Sequence, residues 1–296
     1  MTPPAPGITE RLANMSIPTV LIVIAVLLAI RFLLGRNSNK TVKSVAETAE
    51  SLAVALALVF LIIRPFLIQA FYIPSASMHP TLLESDRLMV NKLIYRFREP
   101  SHGDIVVFKA PPEADPAGQE RDFIKRVIAV PGDVVRITPG YVVVGNFEYN
   151  HADLRRALAG YARRGADGAV KLMNDNVLVD GQLVSKSEVA TALSGNAADK
   201  VKIVPGKVYV NGDVKNERYT AEDPDLPYPL PQTNPEWIIT KDGVQFVKIP
   251  KGRLLVCGDN RNDSNDSRFW GLLDRKRVLG KAMFIFWPPN RIRWIQ

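Results

Sequence analysis

The sequence predicts a mainly β protein carried behind two apolar helices that span a membrane. Three observations carry this. Two long apolar runs open the chain, and short β-type runs separated by turn residues dominate from Ile73 onward. A mixed αβ stretch then interrupts those runs between about 138 and 245.

The first apolar run, Ile17 to Leu34 (IPTVLIVIAVLLAIRFLL), is long enough for a hydrocarbon core of ~30 Å, with Arg31 close to one end. A cleaved export signal needs positive charge before such a run and a small-residue site after it. Here only Arg11 precedes it, beside Glu10, and Gly35-Arg36-Asn37 follows, so an uncleaved anchor fits better. The second run spans Val45 to Ile63, 19 residues. Ser44-Val45-Ala46-Glu47 reads as a capping box at its start, and Arg64-Pro65 ends or kinks the helix. Taken alone, this segment also reads as the buried helix of a soluble protein. The short loop between the runs carries Arg36, Lys40 and Lys43. Short basic loops stay cytoplasmic, which places everything after residue 64 on the periplasmic or extracytoplasmic side of a plasma membrane.

The chain has 296 residues, is 47% hydrophobic and carries a net charge of +8. Its basic residues are dispersed and no helix-turn-helix, zinc-finger or aromatic RNA-binding signature accompanies them. The positive balance therefore points to an anionic membrane surface and not to nucleic acid. Cys257 is alone, which excludes an intrachain disulfide and a cysteine-held metal cluster. His79, His102 and His151 lie far apart without ligand spacing, so no metal and no cofactor is expected.

Strands are expected at Asp104 to Lys109, Phe123 to Val130, Asp133 to Ile137, Lys207 to Val210, Gln245 to Ile249 and Arg253 to Cys257. His102-Gly103, Pro131-Gly132-Asp133, Asn211-Gly212 and Pro250-Lys251-Gly252 supply the turns between them. The proline- and acid-rich segment Asn216 to Glu236 reads as a long surface loop. Between 151 and about 212 the order ALAG, VKL, VLVDG is echoed by ALSG, VKI, VYVNG. The helical parts are offset by 35 residues and the strand parts by 31. Each copy reads as a helix followed by a hairpin. Chance similarity between two αββ stretches is the competing reading.

Three clusters could do chemistry. In Ile73-Pro74-Ser75-Ala76-Ser77-Met78-His79-Pro80-Thr81-Leu82, two prolines fix the backbone around two serines. A serine needs a base before it attacks a carbonyl. His79 is near in sequence, but residues two apart in an extended segment point outward in parallel, and no acid obviously orients it. In Asp122-Phe123-Ile124-Lys125-Arg126-Val127-Ile128-Ala129-Val130, two cations interrupt an apolar strand, and one of two adjacent strand residues must face inward. A buried lysine loses its charge readily and becomes a usable base, unless its ammonium snorkels to water. In Gly258-Asp259-Asn260-Arg261-Asn262-Asp263-Ser264-Asn265-Asp266-Ser267-Arg268-Phe269-Trp270-Gly271, the carboxylates have the wrong spacing for a calcium loop. A tight, internally hydrogen-bonded loop that supports a catalytic group is the better reading.

In this order, behind two apolar segments, the clusters resemble the type I (leader) signal peptidases. The matching boxes are PSASMHPTL, GDIVVFK, DFIKRVIAVPGD and GDNRNDSNDSRFWG, over roughly residues 50 to 137 and 248 to 287. The resemblance implies a membrane-bound serine endopeptidase that removes signal peptides from exported preproteins after Ala-x-Ala-like ends. It implies Ser77 as nucleophile and Lys125 as neutral general base. The Ser75 hydroxyl with the Ser77 amide would form the oxyanion hole, and Ser264 would orient the lysine. Asp266 and Arg268 would form a supporting ion pair, and Arg126 would be structural. Ile73, Pro74, Met78, Leu82 and Ile124 would line shallow substrate pockets. Phe66, Leu67, Ile68, Phe71 and Tyr72 would dip into membrane lipid, where the preprotein waits.

The resemblance also divides the chain. An anchor (1–73) precedes a catalytic β-domain in two parts (74–137 and 246–296), with a variable insertion (138–245) between them. Ala76 departs from the commoner glycine between the serines, and Asn262-Asp263 reverses the usual order. A narrow-specificity processing peptidase, a self-cleaving regulator and a membrane-anchored binding domain are the competing readings. The second would need a DNA-binding domain that the sequence lacks, and the third gains nothing while Ser77 and Lys125 are both in place.

Overall fold

A computed structural model describes residues 16–36, 39–61, 68–115, 121–161 and 170–295. The chain forms two compact units, one holding the N-terminal helices and the other comprising Ala70–Val90 and Ile94–Gln296.

In the helical unit, α1 (Ile17–Leu34) is capped by Ser16, and α2 (Lys40–Ala57) by Asn39, whose Oδ1 accepts from the Thr41 amide at 3.0 Å. The second helix thus starts five residues before the expected Val45. Asn39 takes the cap because Lys40 to Lys43 hold nothing that stops a helix, and the Lys43 amide already donates to Asn39 O. Ser44 therefore lies inside the helix. Ala46, Ala49 and Ala53 are its buried residues, a small-residue stripe that lets the two helices approach closely. Arg31 Nε donates to Glu50 Oε2 at 2.6 Å, tying them together.

The helical run Lys40–Leu61, 22 residues with mean hydropathy 1.7, is long and apolar enough to cross a membrane. The apolar run of α1, Pro18–Leu34, is shorter, about 26 Å at 1.5 Å per residue. Among the described residues one helix meets the length and apolarity of a membrane span, where two were expected. Ile62, Ile63, the Arg64-Pro65 stop, Phe66 and Leu67 lie outside the described residues.

The other unit is mainly β. Its strands are β1 (Ile68–Tyr72), β2 (Arg87–Asn91), β3 (Ile105–Lys109), β4 (Asp122–Ala129), β5 (Val134–Thr138), β6 (Tyr141–Val144) and β7 (Phe147–Tyr149). There follow β8 (Val170–Met173), β9 (Asn176–Val179), β10 (Gln182–Val184), β11 (Val201–Val204), β12 (Lys207–Val210) and β13 (Asp213–Val214). The last are β14 (Ile238–Lys241), β15 (Val244–Lys248), β16 (Arg253–Cys257), β17 (Leu273–Asp274), β18 (Val278–Trp287) and β19 (Arg293–Trp294). The largest sheet runs β1-β2-β18-β3-β4-β16-β17, with β19 on β18, and a second runs β13-β12-β5-β15-β14.

At β3 the large sheet is buried on both faces. Ile105 and Val107 of β3 join a cluster with Ile73, Met78, Leu82 and Leu88, while Val106 and Phe108 join Tyr95, Val127, Leu254 and Val256 on the other side. That is why β3 reads as an unbroken apolar run instead of an alternating one. It also places both Lys125 and Arg126 of β4 in the interior, at 5% and 2% exposure, where the sequence argument required only one.

The sequence echo resolves into a different unit from the one expected. Hairpin β6–β7 leads through Asn150 into helix α3 (His151–Ala157), and hairpin β9–β10 leads through Ser185 into α4 (Lys186–Ser194). Both helices open on a complete capping box, Asn150 with Asp153 and Ser185 with Glu188. Residues 142–158 and 177–193 therefore correspond at a constant offset of 35. The strand after each helix crosses to the other copy: β8 pairs with β9 (Val170 opposite Val179), and β11 pairs with β6 (Val201 opposite Val144). The unit is ββαβ with exchanged last strands, and the two copies share one core through Val142, Leu154, Leu172, Val177 and Val189. The chain enters and leaves at Gly140 and Gly206, which meet closely. A Cβ on Gly206 would come within 2.8 Å of Gly140 N.

The segment Asn216 to Glu236 is not a surface loop. Glu222, Tyr228, Leu230 and Thr233 are buried, and Tyr228 bridges to Ile137 of β5. Its proline content fixes a path through the interior, and composition alone cannot distinguish that from a solvated loop.

Candidate active site

The site grows from three segments of the β unit. The first follows β1, where Ala76–Met78 forms one turn of 3-10 helix that presents Ser77. The second is β4, which carries Lys125. The third is the loop after β16, running from Gly258 into the short helix α5 (Ser267–Trp270).

Lys125 Nζ lies 2.7 Å from Ser77 Oγ. The amine is nearly sealed from water, and burial lowers its pKa from the usual lysine value to about 8. Asp266, Cys257 and Asp259 oppose that fall, and Arg268 reinforces it. The lysine thus does not snorkel, because β16 and the loop cover it. Ser75 is exposed, with its Oγ 3.4 Å from Ser77 Oγ. His79 turns to Glu84, with Nε2 2.6 Å from Oε2.

The third segment grips the other two through groups that carried no assigned role in the sequence. The Asn260 amide donates to Ser77 O at 3.1 Å, and Asn260 Nδ2 donates to Ala76 O at 3.2 Å. Gly258 packs so tightly that an added Cβ would lie 2.3 Å from both Ser77 O and Ser264 Oγ. Asp259, fully buried, accepts from Arg126 Nε and Nη2, both at 2.8 Å, and from the Thr81 hydroxyl at 2.5 Å. Arg126 further donates to Gly103 O and stacks 3.9 Å from the Tyr219 ring centroid. Arg261 donates to Gly258 O and forks onto Glu217, with both contacts at 2.6 Å.

Asp266 and Arg268 form the expected pair, with Nε and Nη2 donating at 2.8 and 2.9 Å. Asp266 also accepts from the Gly258 amide, and Arg268 Nη2 donates to Arg261 O. Burial pushes the Asp266 carboxyl up, but the Arg268 guanidinium, with hydrogen bonds from the Gly258 amide and the Ser264 hydroxyl, holds it below the ordinary carboxylate range. Ser264 is buried over Gly258, close to the Asp266 carboxylate that it helps to stabilise. Of the five apolar residues expected at the substrate, Pro74 and Ile124 keep exposed surface. Ile73, Met78 and Leu82 are buried in the core beneath them.

Asn260 and Asp259 lay inside a recognised polar cluster, but only the fold shows which atoms they hold. Glu217 and Tyr219 had no sequence signal, since they sit in a proline-rich stretch far from the boxes. Among the described residues no group of three or more His, Cys, Asp or Glu side chains is placed to hold a metal ion.

A buried lysine on an interior strand, 2.7 Å from a serine hydroxyl, is an arrangement in which an amine can activate a serine nucleophile, the chemistry of a class of serine peptidases. Comparison with known proteins narrows the class. Residues 45–189 and 191–287 match the family described as signal peptidase, peptidase S26. The chain is 35% identical over 248 residues to a signal peptidase I of Aquifex aeolicus, covering 81% of this chain and 83% of that one. It is 32% identical over 233 residues to a signal peptidase I of Leptolyngbya laminosa, covering 78% and 74%. A signal peptidase IB of Staphylococcus aureus is 30% identical over 251 residues, covering 85% and 94%. The chain belongs to the signal peptidase family, peptidase S26.

Proposed function

We propose that this protein removes signal peptides from exported preproteins with Ser77 as nucleophile and Lys125 as its base. The observation that carries this reading is the 2.7 Å contact between Ser77 Oγ and a lysine amine shielded from water. Ser77 donates its proton to the neutral amine as Oγ attacks the scissile carbonyl. The amine then passes that proton to the leaving nitrogen, and a water deprotonated by the same lysine releases the acyl group from Ser77. The Ser75 hydroxyl and Ser77 amide are the donors for the oxyanion, an arrangement that lowers such barriers by ~3 kcal/mol per donor. Asp266–Arg268 and Arg126–Asp259 hold the loop and strand in register, and Ser264 packs over Gly258.

Substrate meets Pro74 and Ile124, while Ile73, Met78 and Leu82 shape the ground beneath them. Small side chains before the cut, as in Ala-x-Ala, suit such shallow relief. The anchor is multi-pass, its basic loop 36–43 is cytoplasmic and the catalytic domain lies outside. Residues 74–137 and 246–296 form that domain, with 138–245 inserted between them. Contact with lipid is supported by exposed aromatic rings: Tyr72 is 56% exposed, and Trp294, 68% exposed, shares a groove with Pro80 and Thr81.

The pH profile of kcat/KM on an Ala-x-Ala preprotein tests the reading. Only the neutral amine accepts the serine proton, so activity must rise as pH climbs through the Lys125 pKa of about 8 and level off above it. A profile flat from about pH 6 to 9, or one rising through the histidine range near ~6.5, would contradict a lysine base.

A further inference from the structure

After β13 the chain runs alongside the loop that grips Ser77 and is fastened to it at three points. Glu217 accepts from Arg261 Nη1 and Nη2, both at 2.6 Å. The Ala221 amide donates to Asp259 O at 3.0 Å. Asn262 makes the third attachment: its Oδ1 accepts from the Asp225 amide, and its Nδ2 donates to Asp223 O. A turn shapes the start of this strap, where the Thr220 amide and hydroxyl both donate to Glu217 O.

Glu217 also joins the loop to β4. Its Oε1 accepts from Tyr219 Oη at 2.9 Å, and the Tyr219 ring centroid lies 3.9 Å from the Arg126 guanidinium. Arg126 neighbours Lys125 on β4 and binds Asp259 of the loop. The contacts close a ring from Arg261 through Glu217, Tyr219, Arg126 and Asp259, and back along the chain to Arg261. One side of the ring is the loop whose Asn260 amide holds Ser77 O, and the other is the strand that carries Lys125.

Charge makes Glu217 the sensitive member. The Arg261 side chain is fully buried, and that of Glu217 is 11% exposed. Arg261 Nε donates to Gly258 O, and Gly258 abuts Ser77 O so closely that it has no room for a Cβ. A buried guanidinium that loses its carboxylate must turn to water or another acceptor, and the loop moves with it. A displacement of about 1 Å between reacting groups costs on the order of 10²-fold in rate.

We propose that Glu217 is a positioning residue for the peptidase reaction: through Arg261 and Tyr219 it locks the 258–262 loop to β4 and so sets the reach of Lys125 to Ser77. The inference rests on the Ser77–Lys125 reading above. Glu217 acts through other residues and not on the reacting atoms. Its effect falls on kcat and not on KM, because Pro74 and Ile124, where substrate docks, lie outside the ring.

The test uses full-length protein in detergent and two variants. Glu217→Gln keeps the shape and removes the charge, while Tyr219→Phe keeps the ring over Arg126 and deletes only the hydroxyl. On an Ala-x-Ala preprotein, kcat is expected to fall about 30-fold in Glu217→Gln and about fivefold in Tyr219→Phe, with KM within about twofold of wild type. Hydrogen exchange followed by mass spectrometry should be faster across 258–262 in both variants, with β3 as protected as in wild type. Unchanged loop exchange in both variants overturns the positioning role, and so does faster loop exchange with unchanged kcat. Should Glu217→Gln exchange faster throughout, β3 included, Tyr219→Phe decides by the same two readouts. Exchange needs no activity. A wild type that cuts nothing, or an active Lys125→Ala, sinks the Ser77–Lys125 reading, while exchange still reports whether Glu217 holds the loop.

Discussion

Ser77→Ala and Lys125→Ala are each expected to lose at least about 10⁴-fold in kcat/KM on a preprotein with an Ala-x-Ala site, while remaining folded. The loss should be nearly the same for either change and little worse for both, because nucleophile and base act as one unit. Lys125→Arg should be as inactive as Lys125→Ala, since a guanidinium does not give up its proton. His79→Ala should stay within about tenfold of wild type, because His79 faces Glu84. Cleavage assays on the five variants beside wild type decide the matter. An active Lys125→Ala with an inactive His79→Ala would assign the base to histidine.

Asp259→Ala is expected to cost about 3–5 kcal/mol of stability, the range for a buried ion pair broken from one side. Asp259 is fully buried and takes two hydrogen bonds from Arg126, itself 2% exposed. Without the carboxylate the guanidinium stays in the interior with its charge uncompensated, and the Thr81 hydroxyl loses its acceptor as well. Replacing both partners by apolar residues, Arg126→Met with Asp259→Leu, should recover much of that loss, because the expensive state is the lone charge. Urea unfolding of the single and double variants measures this. A single-variant loss below ~1 kcal/mol would mean that water or another group reaches Arg126.

Much of the architecture can be read from residue order. Each of the six expected strands forms, within one or two residues of its predicted ends, because β-branched runs between Gly, Pro and Asn leave the backbone few alternatives. Ser77 and Lys125 were legible as a pair only through the resemblance. Forty-eight residues separate them, and no periodicity connects a 3-10 turn to a strand.

The misreadings have common physical roots. Ser44 looked like a helix cap because local pattern cannot tell whether the preceding turn is already helical. The echo between 151 and 212 is visible in the sequence, but its structural unit is not. The exchanged strands β8 and β11 follow the helices in sequence yet pair with the other copy, and strand exchange leaves no local trace. Glu217 was invisible for a related reason. Its partner Arg261 is 44 residues away, and burial of a charged residue in a proline-rich segment is decided by the fold.

Burial is expected to lower the Lys125 pKa far enough that the neutral amine is populated near pH 8. Titration of protein labelled with 13Cε-lysine, followed by NMR and assigned by comparison with Lys125→Ala, measures it directly. One lysine signal, absent in Lys125→Ala, is expected to titrate near 8. A Lys125 signal that titrates at about 10 or above would leave almost no neutral amine near pH 8 and contradict its role as base.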